Sequence, residues 1–288
     1  MRRKLSCCVA AALTLALLAG CGEPSAAQTG SPTPESQSAE SVPVLATPES
    51  TPEPTPTPEP TPTPLPWPVY EFGVPVEESE PVADDSFFEN TVFLGDSRTE
   101  GLELFGGIKH GTYYWARGMT VFRVDDEDYK IVSIDGEDYT VIEALGLRSF
   151  DAVYIMIGVN ELGYPVTSYE SGLAALVDQV IEAQPDAVVY LQIMPPLNDD
   201  LCRANGLASY INNDNLRAFN EVIQRVAAEK KVALLNTAEV YTGEDGQLPK
   251  ELANDGCHFA YKAYSLWADY LRSHIIDKER YFYSREQV

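Results

Sequence analysis

The chain predicts an α/β domain, a three-layer α/β/α sandwich around a central parallel sheet. Two observations carry this expectation. Short β-branched and aromatic runs recur at residues 91–94, 112–115, 151–157, 187–194 and 232–235. The intervening stretches hold an apolar stripe at helical spacing, as in Leu173, Leu176, Val177, Val180 and Ile181 of residues 169–184, or Leu216, Phe219, Val222, Ile223 and Val226 of residues 213–230. Strands that alternate with single helices imply parallel pairing through right-handed crossovers.

Taken in order, residues 1–20 read as a targeting segment. Arg2, Arg3 and Lys4 precede an apolar core at residues 9–18 that is too short to span a bilayer, and Leu18-Ala19-Gly20-Cys21 follows. This resembles a bacterial lipoprotein signal, which implies that Cys21 is lipidated and becomes the first residue. Residues 21–68 are rich in Pro, Thr, Ser and Glu and cannot build a core. As polyproline II at ~3.1 Å per residue, their densest part reaches on the order of 60 Å, a spacer between membrane and domain. Residues 69–288 are long enough for one folded domain.

Within that domain one stretch departs from the alternation. Residues 130–134, Asp135-Gly136 and residues 139–142 read as a β-hairpin inserted into the α/β frame. Residues 261–276 close the domain with a helical pattern.

The formal net charge of the 288 residues is −24, and loss of the basic signal makes the remainder more acidic still. Nucleic acid is therefore excluded as a partner attracted at long range. Of five cysteines only Cys202 and Cys257 remain in the domain; outside the cytoplasm a disulfide or two free thiols are both open. No Cys/His cluster has metal-ligand spacing, so neither metal nor organic cofactor is expected.

The run at residues 91–94 stops at Gly95-Asp96-Ser97, placing Ser97 where strand turns into helix. In open α/β sheets, ligands bind beyond the carboxyl ends of the strands. Ser97-Arg98-Thr99-Glu100 also fits an S-x-x-E capping box, so Ser97 is at once a candidate cap and a candidate nucleophile. A nucleophilic serine needs a base. Of three histidines, His110 has no carboxylate nearby in sequence and His274 falls late in the C-terminal helical pattern. His258 stands three residues after Asp255, with Gly256 permitting a tight turn. That spacing lets a carboxylate accept from Nδ1 and leaves Nε2 facing outward.

Gly95-Asp96-Ser97, Gly118 within Ala116-Arg117-Gly118-Met119, Gly158-Val159-Asn160-Glu161 and Asp255-Gly256-Cys257-His258 together resemble the four ordered blocks of the SGNH/GDSL hydrolase family. The resemblance runs over about residues 90–275 and implies a flavodoxin-like sandwich. It further implies Ser97 as nucleophile, His258 as general base and acid, and Asp255 as the group orienting the imidazole. The Ser97 and Gly118 amides and the Asn160 side chain would hold the oxyanion. Two residues depart from the family's pattern: Arg98 replaces a leucine, and Glu161 an aspartate. Cys257 is a poor rival nucleophile because sequence neighbours point apart, and the Gly-x-Ser-x-Gly elbow of standard α/β-hydrolases is absent.

These readings lead to the expectation of an extracytoplasmic serine esterase, anchored to the membrane through Cys21. It would remove small acyl groups, acetyl above all, from carbohydrate or another envelope component. The alternatives are transfer of the acyl group to an envelope glycan and a domain that only binds a glycan or partner. No obligate protein partner is inferred.

Overall fold

The computed structural model describes residues 68–80 and 82–288. Residues 1–67, on which the expected targeting segment, Cys21 and the expected spacer fall, lie outside the described residues.

After one 3-10 turn, β1 (Thr91–Gly95) leads into α1 (Ser97–Phe105), and β2 (Thr112–Trp115) follows. A hairpin of β3 (Val132–Ile134) and β4 (Glu137–Tyr139) then precedes α2 (Val141–Gly146), β5 (Ala152–Met156) and α3 (Val166–Ala183). The chain continues through β6 (Val188–Gln192), α4 (Asp199–Ala204), α5 (Asn213–Lys230) and β7 (Ala233–Leu235) to α6 (Tyr264–Ser273) and α7 (Lys278–Gln287).

The main sheet has the order β2-β1-β5-β6-β7, with every pair parallel. Every residue of β1, β5, β6 and β7 is buried, which is why these strands read as continuous apolar runs rather than as alternating ones. Phe93 stands in register with Tyr113 on one side and Tyr154 on the other, and Tyr154 with Tyr190. Their rings stack across four strands at centroid distances of 4.8, 5.3 and 4.3 Å. Such cross-strand aromatic pairs fix the register. Helix α1 packs with α6, while α3 packs with α2 and α5. The three-layer sandwich is thus the one that the alternation predicts.

From β1 the chain first steps outward to β2 and then returns to the other side of β1 to lay down β5. Connections leave β1 and β5 in opposite directions, which opens a crevice beyond their carboxyl ends. Ser97 follows β1 and Asn160 follows β5, so the topology brings both residues to that crevice.

The inserted hairpin is present, with Asp135 at φ 54° and Gly136 at φ 88°, the pair of positive values that a two-residue type I′ turn requires. Its second strand is shorter than expected. Thr140 and Glu143 form a reciprocal capping box, so Val141 and Ile142 open α2 instead of extending β4. The C-terminal helix likewise stops early, at Ser273 rather than residue 276, with His274 as its C-cap. Helices α4 and α7 were not anticipated: α4 has six residues, too few to show a stripe, and α7 buries only Tyr281 and Ser284. Cys202 and Cys257 are both buried and both free.

Candidate active site

Ser97 is the first residue of α1, but it does not cap the helix. Asp96 does so, its Oδ1 accepting the Arg98 N–H at 2.9 Å. Glu100, the expected partner in a capping box, instead accepts twice from the Arg117 guanidinium, at 2.6 Å each. The capping-box expectation is therefore corrected. A carboxylate one residue earlier is the stronger acceptor for the orphan amides, and its presence releases the serine hydroxyl. Ser97 Oγ lies 2.8 Å from His258 Nε2.

His258, the expected base, comes from a loop rather than from a regular element. Asp255 Oδ1 accepts the Cys257 and His258 backbone N–H groups at 2.9 and 2.7 Å, and Oδ2 stands 2.7 Å from His258 Nδ1. Gly256 makes this fold-back possible with φ 100°, and a Cβ there would sit 2.5 Å from the Cys202 nitrogen. Partial burial pushes the Asp255 carboxyl up, but the His258 side-chain bond and the two amide bonds outweigh it and hold the group well below the usual carboxylate range. Asp255 is thus an anion that accepts from Nδ1, which leaves the Nε2 lone pair directed at Ser97. The carbonyl of Asp255 receives Asn205 Nδ2 at 3.2 Å, and the carbonyl of Gly256 receives the Asn198 N–H at 2.8 Å.

The residues expected to hold an oxyanion line the same pocket. Gly118 takes φ 74° at the second inner position of a tight turn closed by the Met119 N–H on the Ala116 carbonyl at 3.0 Å. A side chain would be strained there. Neither the Ser97 N–H nor the Gly118 N–H is engaged by another group among the described residues. Asn160 sits on the 3-10 turn Val159–Glu161 after β5; its Nδ2 donates to the Met119 carbonyl at 3.0 Å and lies 3.4 Å from Asp96 Oδ2. Ser97, Gly118, Asn160, Asp255 and His258 all line one pocket of about 680 Å³. Its walls add Leu104, Phe105, Leu207, Ile211 and the Arg117–Glu100 pair.

Glu161, one of the two departures from the family's pattern, is completely buried. Its Oε1 accepts the Val121 N–H at 2.7 Å, which ties the Asn160 turn to the segment that follows Gly118; its Oε2 has no partner among the described residues. Burial pushes this carboxyl up to about 8 against the opposing Val121 bond, and the neighbouring Asp96 adds to the rise. Burial likewise raises Asp96. Sequence reasoning assigned no role to either group. The other two histidines are elsewhere: His110 is exposed before β2, and His274 donates to the Tyr270 carbonyl at 3.0 Å while stacking on that ring.

A hydroxyl joined to an imidazole, an imidazole joined to a carboxylate and unengaged N–H groups in the same pocket form an arrangement suited to acyl transfer. The chain matches the model of the GDSL-like Lipase/Acylhydrolase family over residues 93–266. Among solved structures it is similar to one from Streptococcus pneumonia, provisionally described as a platelet activating factor, at 22% identity and a TM-score of 0.49, covering 64% of this chain and 82% of that one. A GDSL-like lipase from Bacteroides thetaiotaomicron aligns at 14% identity and a TM-score of 0.48, over 69% and 89% of the two chains. The lipase/acylhydrolase from Enterococcus faecalis aligns at 17% identity and a TM-score of 0.44, over 63% and 93%. No curated protein sequence matches the chain. The family match takes in the turn at Ser97, the Gly118 and Asn160 segments and the Asp255–His258 loop, and on it the chain belongs to the GDSL-like lipase/acylhydrolase family.

Proposed function

We propose that the protein is an extracytoplasmic serine esterase that removes small acyl groups, acetyl above all, from carbohydrate or another envelope component. The observation that carries this reading is the chain of contacts from Ser97 Oγ to His258 Nε2 at 2.8 Å and from Nδ1 to Asp255 at 2.7 Å. Ser97 Oγ attacks the ester carbonyl carbon while His258 Nε2 takes the hydroxyl proton. The carbonyl oxygen becomes an oxyanion, held by the Ser97 and Gly118 N–H groups and by the Asn160 amide once it turns from its long 3.4 Å contact with Asp96. Collapse of that intermediate breaks the bond to the alcohol, which leaves with the proton from His258. Water then gives a proton to His258 and attacks the acyl-serine, releasing the acid and restoring Ser97. Asp255 stabilises the imidazolium in both halves.

The polar rim beside Ser97, with Arg117, Glu100 and Asn254, supports an oxygen-rich leaving group. The extracytoplasmic setting rests on Cys21 after Leu-Ala-Gly and an apolar segment. Two measurements test the reading. Acetate release from p-nitrophenyl acetate and from an O-acetylated glycan should exceed turnover of a decanoate ester and vanish in Ser97→Ala. Wild-type-like turnover in folded Ser97→Ala would overturn the mechanism, and appearance of the acetyl group on an added sugar rather than as acetate would turn the enzyme into a transferase. Detergent phase separation of the full chain should place it with lipid, and Cys21→Ser should abolish that partition; an aqueous wild type would remove the anchor.

A further inference from the structure

Arg98 follows the candidate nucleophile directly and is 1% exposed, among the largest fully buried side chains of the described residues. It stands where the family resemblance leads one to expect leucine. Among the described residues its guanidinium forms no ion pair within 4.0 Å. Instead it reaches across the crevice to backbone: Nε and Nη2 both donate to the Cys257 carbonyl, at 3.1 and 2.9 Å, and Nη1 approaches the Pro195 carbonyl at 3.4 Å. The Phe259 ring lies 5.3 Å from the guanidinium carbon. A buried cation is expensive to desolvate, and leucine would fill much of the same space without that penalty. What leucine could not do is hold a carbonyl with a planar fork.

The Cys257 carbonyl is the other end of the peptide whose N–H belongs to His258. That N–H donates to Asp255 Oδ1 at 2.7 Å. The peptide plane immediately before the imidazole is therefore gripped at both ends, by Asp255 on the N–H and by Arg98 on the carbonyl. Arg98 is itself fixed at the head of α1, its own N–H bonded to Asp96 at 2.9 Å. One residue thus links the turn that carries Ser97 to the peptide that carries His258.

We propose that Arg98 is a positioning residue that sets the Ser97 Oγ to His258 Nε2 contact by clamping the Cys257–His258 peptide to the start of α1. The inference rests on the esterase reading of the same site. Misplacing a catalytic group by about 1 Å can lower the rate roughly 100-fold, and such a loss falls on kcat rather than on KM.

Arg98→Lys, Arg98→Gln and Arg98→Leu separate the possibilities, assayed with p-nitrophenyl acetate beside thermal unfolding and fluorophosphonate labelling of wild type and Ser97→Ala. Leucine and glutamine should fold and lose about 10- to 100-fold in kcat, with KM within about threefold. Lysine, which can give one donor to the carbonyl but not the fork, should recover part of that loss. Folded Gln and Leu variants with wild-type kcat would overturn the proposal, as would a loss that falls on KM alone. Failure of all three variants to fold cooperatively would also overturn it, making Arg98 an anchor of the fold. A wild type that does not label at Ser97 would instead remove the esterase reading itself, so the two failures are distinguishable.

Discussion

Ser97 and His258 meet at 2.8 Å, yet the two sides of that contact are built by different means. Ser97 stands on the junction of β1 and α1, where every residue of the strand is buried and the helix is capped by a buried carboxylate. His258 stands on a stretch with no long helix or strand, folded around Asp255 and tied to α4 by Asn198 and Asn205 and to α1 by Arg98. Packing positions the first group; hydrogen bonds position the second. Substitutions on the Ser97 side of the crevice should therefore separate into those that stop chemistry and those that loosen the fold, whereas those in the loop should reduce turnover and, at Asp255, stability together, because its depressed carboxyl stabilises the fold at neutral pH.

The largest effect expected is that of Ser97→Ala, which should reduce turnover to background, a loss of 10⁴-fold or more by order of magnitude. Its melting temperature should stay within a few degrees of wild type because Asp96, not Ser97, caps α1. A large drop in melting temperature would show that the hydroxyl supports the turn. Asp255→Asn comes next: the amide can no longer accept from Nδ1 as an anion, and the penalty in kcat should approach about 10⁴. Its melting temperature should fall as well at neutral pH, and an unchanged melting temperature would show that the hydrogen bonds of Asp255 do not hold the loop. Asn160→Ala, which removes one of the proposed oxyanion donors, should lower kcat by roughly 10² to 10³. Asn205→Ala, which removes one 3.2 Å tether from the Asp255 carbonyl, should reduce turnover only a few-fold, in keeping with the ~1 kcal/mol of an ordinary hydrogen bond.

Glu161 is buried and belongs to neither side of the Ser97–His258 contact. Glu161 is raised from 4.5 to about 8 in the folded chain. Between those values the fold keeps the proton and the unfolded chain releases it, so this residue makes stability fall as pH rises from about 4 to 8. Glu161→Gln should melt above wild type at pH 8 and match it at pH 4. Equal melting at both values would show that Glu161 is ionised in the fold.

The parts of this molecule that the sequence displays plainly are those built by local periodicity. Helix α5 begins and ends where the stripe from Leu216 to Val226 places it, at Asn213 and Lys230. The strands agree to within a residue or two because burial on both faces writes them as unbroken apolar runs. Asp255 and His258 could be paired because they are three residues apart and a glycine lies between them. The Arg98 clamp was not legible in this way. Its acceptors are main-chain carbonyls 97 and 159 residues away, and a carbonyl has no letter of its own in a sequence. The cap at the head of α1 was misassigned for a related reason, since Asp96 and Ser97 both satisfy the local rule and only the reach of His258 to the hydroxyl separates them. Asn198 before Asp199-Asp200 and Asp277 before Glu279 are cap signals that would have revealed α4 and α7.

The central claim is that Ser97 is a nucleophile activated by His258. The most direct test is the rate of fluorophosphonate labelling, followed by intact mass and peptide mapping, in wild type, Ser97→Ala and His258→Ala. The account predicts a single adduct on Ser97, none in Ser97→Ala, and labelling of His258→Ala slowed by orders of magnitude although the protein remains folded. An adduct on another residue, or His258→Ala labelling as fast as wild type, would contradict it.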